Sequence, residues 1–491
     1  MAKEEKQAKR QKPAETAAER AAREERERKF SNNIYHGVVA VVVVAIVISI
    51  GILIFRNTAD YMGTYLKIGD YEISKEELDF YYNGYVTSWE SSYLTYYSYL
   101  GYIDTSLEYS EQYYSDDLTW EDYFIECAVE EMQTVYAWYD AAMDDEDFTY
   151  DVDELVQEQI DALQEGADDS DVSLSYYVKA YYGVSVSKFK KYIKKTVIAT
   201  EYYDYLEETY EVTDEDIQTE LEDNAEDYTL ATYRYYSISY ATDSDATDEE
   251  AEEYQEYVLT NTELIAAQIT DEDSYLEMVA AYEADDDYDA DSSTLAEDAT
   301  VSDVTDVIAI WLMEAERTEG DVTILDDTSS SVYYLVYFKS CALDDTKSAA
   351  FRHILLTDDY AEENAEIMLE YWEENYGDEE TFAEMADRYS EDSAEGGLYE
   401  DVYNGEMVDV INDWVLDESR QAGDTTIVTS SYGTHIVYLV STSDTLSIEI
   451  MAKNNLTTAY LTDLLEEIQE SMPVEDVKGK IAYLASDTDA E

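Results

Sequence analysis

Proline is nearly absent from this 491-residue chain: Pro13 and Pro473 are its only two. Folding should therefore be almost free of slow prolyl steps. Cysteine is equally scarce. Cys127 and Cys341 are too few for a disulfide framework, and two free thiols or one pairing both remain open. Lys and Arg number 29 against 117 Asp and Glu, a formal net charge of −88. A field of that sign repels phosphate, which excludes nucleic-acid binding by charge and disfavours anionic surfaces. Phenylalanine is replaced in bulk by tyrosine, 9 against 51. That ratio fits either a polar chain using Tyr in its core or a surface making broad amphipathic contacts. Histidine occurs three times, at His36, His353 and His435.

The few cations are unevenly placed. Residues 1–35 carry a basic, Ala/Glu/Arg-rich tail with no apolar face. Gly37–Phe55 follows without a single charge, a run long enough to cross a hydrocarbon core of about 30 Å as a helix. The expectation is a single-pass anchor over residues 36–56, basic side in the cytoplasm and everything after Arg56 outside. A cleaved signal peptide is the alternative. Its apolar region would be shorter, and Asn57-Thr58-Ala59 is a poor cleavage site. No cysteine follows the run to take a lipid.

Beyond the anchor, Tyr65–Ile73 alternates like a hairpin and Ser74 reads as an N-cap with Glu77 completing a capping box. Residues 57–225 are otherwise helical in pattern, with Trp120, Phe124, Cys127, Met132, Val135 and Trp138 on one face. Residues 446–491 form another amphipathic helical segment, expected to pack back on that region. Between them lies a domain-scale repeat. Trp311, Arg317, Gly320-Asp321 and Thr323-Ile324 recur without a gap as Trp414, Arg420, Gly423-Asp424 and Thr426-Ile427. Each set is followed by a β-run and preceded by another that begins at an arginine, Arg234 or Arg352. Residues 226–343 and 346–443 are thus expected to be tandem related domains.

The second copy holds the chemistry-bearing residues. His353 stands in Arg352-His353-Ile354-Leu355 and His435 in Tyr432-Gly433-Thr434-His435-Ile436. Between them come Phe382-Ala383-Glu384-Met385-Ala386, Tyr389-Ser390-Glu391-Asp392-Ser393, Gly396-Gly397-Leu398, Gly405-Glu406-Met407-Val408 and Gly423-Asp424. In order and spacing this stretch resembles the parvulin family of peptidyl-prolyl isomerases over nearly the whole of residues 346–443. The resemblance implies catalytic roles for His353, Asp392 and His435, with the carboxyl of Asp392 facing the amide. Leu398, Met407 and Ile411 are implied to form the proline pocket, Ile411 standing where the family usually has Phe. In the first copy Tyr235 and Tyr334 align with His353 and His435, and no counterpart of the Gly-Gly-Leu turn or of Met407 is visible. That copy is expected to keep the fold without the chemistry.

Rotation about an X–Pro bond crosses a barrier of about 18–20 kcal/mol because it breaks amide resonance. No bond is cut, so the chemistry requires neither metal nor cofactor. It requires a site that binds the twisted amide better than the planar one. Asp287-Tyr288-Asp289-Ala290-Asp291 alternates like a calcium loop, but Ser292 occupies the position that needs glycine.

The order of segments resembles the PrsA/SurA-type foldases. It implies an α+β chain: one N-terminal transmembrane helix, a helical chaperone domain built from N- and C-terminal segments, and two tandem parvulin-like domains. Its implied partners are unfolded secreted polypeptides containing X–Pro bonds and the membrane, and the resemblance admits a homodimer. A non-catalytic tethered holdase, with both parvulin copies as scaffolds, is the competing reading.

Overall fold

The computed structural model describes residues 63–484, apart from 116, 151, 244–245, 284–286, 315–316, 359, 393 and 483. The basic tail, His36, the expected anchor at 36–56 and the alternative cleavage site lie outside the described residues. Among the described residues no helix is long and apolar enough to cross a membrane. The chain divides into two compact units: residues up to Glu208 together with those from Leu461 onward, and Thr209–Tyr460.

In the first unit, β1 (Leu66–Ile68) and β2 (Tyr71–Ile73) form the expected hairpin, turning at Gly69. The helices α1 (Lys75–Tyr99), α2 (Trp120–Asp144), α3 (Val152–Asp169), α4 (Leu174–Tyr182) and α5 (Val186–Thr209) follow. The periodic face of α2 is buried through Trp120, Phe124, Met132, Val135 and Trp138. It meets α1 in an aromatic core where Trp89, Trp120 and Phe124 pack ring against ring. Ser74 caps α1 by accepting the Glu77 amide. The Glu77 carboxylate does not complete the expected box. It turns inward, 4 % exposed, where the Tyr136 hydroxyl donates to it at 2.6 Å and the Lys195 ammonium lies at 2.8 Å. A buried carboxylate is tolerable because both donors converge on it. Tail residues from Leu461 belong to this unit. β11 (Val474–Glu475) adds a third strand beside β1, and Gln133 donates to the Met472 carbonyl at 3.1 Å.

The second unit contains two four-stranded antiparallel sheets of one plan. The short helix α6 (Asp214–Asp223) leads into β3 (Thr229–Ser239), α7 (Asp248–Ala266), α8 (Glu272–Glu283), α9 (Ala290–Thr294), β4 (Leu295–Thr300), α10 (Asp306–Met313), β5 (Val322–Asp327) and β6 (Val332–Leu343). The second set is β7 (Lys347–Leu356), α11 (Ala361–Asn375), α12 (Glu379–Tyr389), β8 (Leu398–Val402), α13 (Asp409–Val415), β9 (Thr425–Ser430) and β10 (Gly433–Leu446). Strand orders are β4-β3-β6-β5 and β8-β7-β10-β9. The helix α14 (Ser447–Ser471) begins in this unit, where Ile448 and Ala452 pack on Tyr228.

The repeated residues explain why the two sheets agree. Arg317 lies over the Trp311 ring at 3.9 Å and Arg420 over Trp414 at 5.2 Å. Gly320 and Gly423 both adopt φ of +94°. Their amides donate to Phe338 and Leu439, whose own amides donate back to Asp321 and Asp424. The Gly-Asp pair is therefore the corner that sets the register of the last hairpin in each copy. The paired arginines match too. Arg234 Nε binds Glu272 at 2.6 Å and Arg352 Nε binds Glu379 at 3.0 Å, each glutamate opening a helix.

Leu398 does have a counterpart in strand register: Leu295 pairs with Arg234 as Leu398 pairs with Arg352. The glycine turn ahead of it has none, because Ser293-Thr294 ends the short helix α9 there.

Candidate active site

His353 and His435 sit on adjacent antiparallel strands, β7 and β10, with His353 opposite Val437 and His435 opposite Leu355. Both are buried. Their rings lie nearly parallel, centroids 5.5 Å apart, with Nδ1 facing Nδ1 at 3.3 Å. On the far side, His353 Nε2 meets Asp392 Oδ2 at 2.9 Å. His435 Nε2 meets the Ser430 hydroxyl at 2.8 Å. The structure thus brings together the three residues implied to be catalytic.

Protons in this chain can be assigned. An ionised carboxylate only accepts, so His353 must carry its proton on Nε2. Its Nδ1 is then bare and accepts from His435 Nδ1–H. That leaves His435 Nε2 bare, to accept from Ser430. Ser430 Oγ in turn accepts the Tyr432 amide at 3.0 Å. Every donor has an acceptor with both imidazoles neutral. The electrostatics agree. Burial pushes His353 below its ordinary value, against the pull of Asp392. Burial and the neighbouring His353 push His435 down as well. Burial alone would raise the Asp392 carboxyl, but the Ala394 amide, His353 and Tyr399 together hold it below its usual range.

The turn before β8 lies tightly against β7. Gly396 and Gly397 have φ of +57° and +63°, and a Cβ on Gly397 would collide with the His353 carbonyl oxygen. Only glycine lets this turn lie against β7. Arg352 ties the turn down from the other side, donating to the Gly396 carbonyl at 2.9 Å.

The apolar wall differs from expectation at one position. Leu398 pairs with Arg352 and so shares the sheet face that α12 covers, away from the histidines. Side chains alternate along a strand, and Tyr399 therefore faces the site. Its ring stacks on Phe351 at 5.4 Å and meets His353 edge-on at 5.3 Å. Burial and Asp392 push the Tyr399 hydroxyl up to about 12, so it stays protonated. Met407 and Ile411 join Tyr399 and Phe351 in one apolar cluster. Met407 is half-buried and reaches the surface, whereas Ile411, 2 % exposed, is floor rather than wall.

Sequence reasoning missed Tyr399 and Ser430. The first was legible in principle from strand alternation, since Phe351 and Tyr399 are partners; the turn ahead of it obscured the phase. Ser430 carries no periodic signal, because it reaches His435 around a tight hairpin rather than from the opposite register position.

This arrangement offers an anion, an apolar wall and two neutral imidazoles. In a planar amide, resonance places negative charge on oxygen and positive charge on nitrogen. A carboxylate and an apolar wall both disfavour that polarised form relative to the twisted one, which lowers the barrier by differential binding.

Residues 333–442 match the family model of the PPIC-type PPIASE domain. No curated protein matches the chain. Among solved structures, the peptidylprolyl isomerase PrsA of Bacillus anthracis is 14 % identical with a TM-score of 0.20, the alignment covering 55 % of this chain and 93 % of that one. PrsA of Bacillus subtilis is 14 % identical at TM-score 0.19, covering 60 % and 89 %. A SurA-like chaperone of Campylobacter jejuni is 8 % identical at TM-score 0.22, covering 85 % and 99 %.

The glycine turn, the histidine pair and the sheet up to Thr442 all lie within the matched residues. Residues 333–442 carry a PPIC-type PPIase domain, the domain of the parvulin-type isomerases.

Proposed function

We propose that the chain is a membrane-tethered foldase, isomerising X–Pro bonds and holding non-native polypeptides outside the cytoplasmic membrane. The uninterrupted hydrogen-bond chain from Ser430 through His435 and His353 to Asp392, beside Met407 in the matched domain, carries the catalytic half of this reading. The tether rests on the uncharged run Gly37–Phe55 with its basic flank. The chaperone half rests on the helical first unit, built from both ends of the chain, and on a scarcity of proline that lets a foldase mature without its own activity. Residues 226–343 then act as a parvulin-like domain that has lost its chemistry. Tyr235 and Tyr334 occupy the histidine positions there, with ring centroids 6.3 Å apart.

A second reading draws on Ile411, an aliphatic floor where the parvulin resemblance implies Phe: a tethered holdase in which both sheets are scaffolds. The deciding experiment follows the cis-to-trans rate of short X–Pro peptides with the full chain and with His435→Ala and Asp392→Ala, each checked for folding by circular dichroism. Acceleration by the wild type that both substitutions reduce supports the foldase. No acceleration across several residues before proline leaves the holdase.

A further inference from the structure

Tyrosine serves two purposes in the first unit. Inside, Tyr136 and Tyr192 fill space as phenylalanine would, each fully buried. At the end of α1 and in the loop that follows, tyrosines instead point outward. Tyr96, Tyr99 and Tyr102 are 60 %, 87 % and 63 % exposed, flanked by Tyr93 and Tyr114, also exposed. Four of these five rings pack on others. Tyr93 and Tyr97 lean on Trp89, Tyr96 and Tyr102 lean on Tyr97, and Tyr114 packs on Trp120 at 4.9 Å. Tyr93, Tyr96, Tyr102 and Tyr114 are thus held in place by the aromatic core of the α1–α2 pair, a largely preorganised platform whose docking costs little side-chain entropy.

The charge around this platform selects its occupant. From Glu76 to Val178 the sequence contains no lysine, arginine or histidine. The platform loop itself exposes Glu108, Glu111 and Asp117. Elsewhere in the unit, tyrosine rings are met by the chain's own cations: Lys75 over Tyr65, Lys188 and Lys191 over Tyr192, Lys195 over Tyr136. At the platform no such cation is within reach in sequence, yet ring faces and carboxylates both attract one. An anionic lipid surface would be repelled by the same carboxylates.

We propose that this tyrosine platform docks extended, lysine- and arginine-containing segments of non-native polypeptides, the basic side chains lying on ring faces inside an acidic rim. The proposal rests on the chaperone reading above and narrows it: basic segments are the ones held here, independently of proline.

The test uses the full chain and a short labelled, proline-free peptide that alternates Lys and Arg with Ser and Gly. A counterpart carries Gln at every basic position. The wild type should bind the basic peptide, more weakly as salt rises, and should not bind the Gln peptide. Tyr96→Ser/Tyr99→Ser/Tyr102→Ser, all surface changes, should weaken binding about ten-fold or more, whereas the corresponding triple Phe variant should stay within about two-fold of wild type. Equal binding by the Ser variant would overturn the proposal, because diffuse acidity would then suffice. Equal binding of the Gln peptide would overturn it too, as would anionic vesicles binding through these tyrosines while the basic peptide does not. Suppression of aggregation of an acidic client, measured alongside, separates the two levels. If it persists while platform binding fails, the chaperone reading survives without this site; if the chain protects no client at all, the chaperone reading itself falls.

Discussion

The Tyr399 hydroxyl reaches both oxygens of the Asp392 carboxylate, 3.1 Å from Oδ1 and 3.2 Å from Oδ2, while its ring forms the wall facing His353. One side chain thereby fixes the anion and shapes the pocket. Removing the hydroxyl alone separates these roles. Tyr399→Phe takes away a donor to the charged form, so the Asp392 pKa should rise and the acid limb of the kcat/KM profile should move to higher pH. At neutral pH kcat/KM should fall about three- to ten-fold, with the fold intact. An unshifted acid limb in a peptide isomerisation assay would show that Asp392 is held without Tyr399.

Gly397→Ala should be far more damaging than its size suggests. The new methyl would meet both an unfavourable positive φ and the His353 carbonyl oxygen. A loss of about 2 kcal/mol or more is expected. It should appear as a lower unfolding midpoint for the parvulin domain, monitored through the Trp372 and Trp414 fluorescence, together with lost isomerisation.

Both site histidines are depressed below the ordinary imidazole value. In the unfolded chain they take up protons near pH 6.5; in the folded domain they do so only at lower pH. The unfolded state therefore binds more protons in that window, and stability rises with pH through it. Full stabilisation is present above about pH 6.5. It is lost as pH falls from there toward the folded-state values. Denaturant titrations from neutral pH downward should show this slope, and His353→Gln with His435→Gln should flatten it.

In the first unit, Lys195→Met should cost about 3–5 kcal/mol, because it strands the Glu77 carboxylate in the core. Adding Glu77→Leu should recover much of that loss. Thermal unfolding of the single and double variants checks the coupling; a double variant no more stable than the single one would show that Tyr136 alone satisfies Glu77.

Much of this was legible in the chain because each signal was local. Ser74 at the start of α1 and the Trp–Arg–Gly-Asp repeat are read from a few neighbouring positions. His353, Asp392 and His435 were implied by the resemblance to parvulins, and they converge. What escaped depended on register. Tyr399 rather than Leu398 faces the site because of a one-residue phase at the start of β8, which only pairing with Phe351 fixes. Leu295 was hidden for the same reason, with Ser293 and Thr294 ahead of it and no glycine turn. The Glu77 carboxylate looked like a capping group because capping is local, whereas its real partners, Tyr136 and Lys195, are distant in sequence.

The stacked imidazoles also have a spectroscopic consequence. In a protein of this size ring resonances normally overlap, but here the histidines number three and two share a single N–H···N bond. Histidine-selective nitrogen-15 labelling would give a spectrum nearly as sparse as that of a peptide. The coupled pair should appear as two different neutral tautomers, protonated on opposite nitrogens. Displacement of those signals on adding an X–Pro peptide would report occupancy of the site directly, without assignment of the rest of the chain.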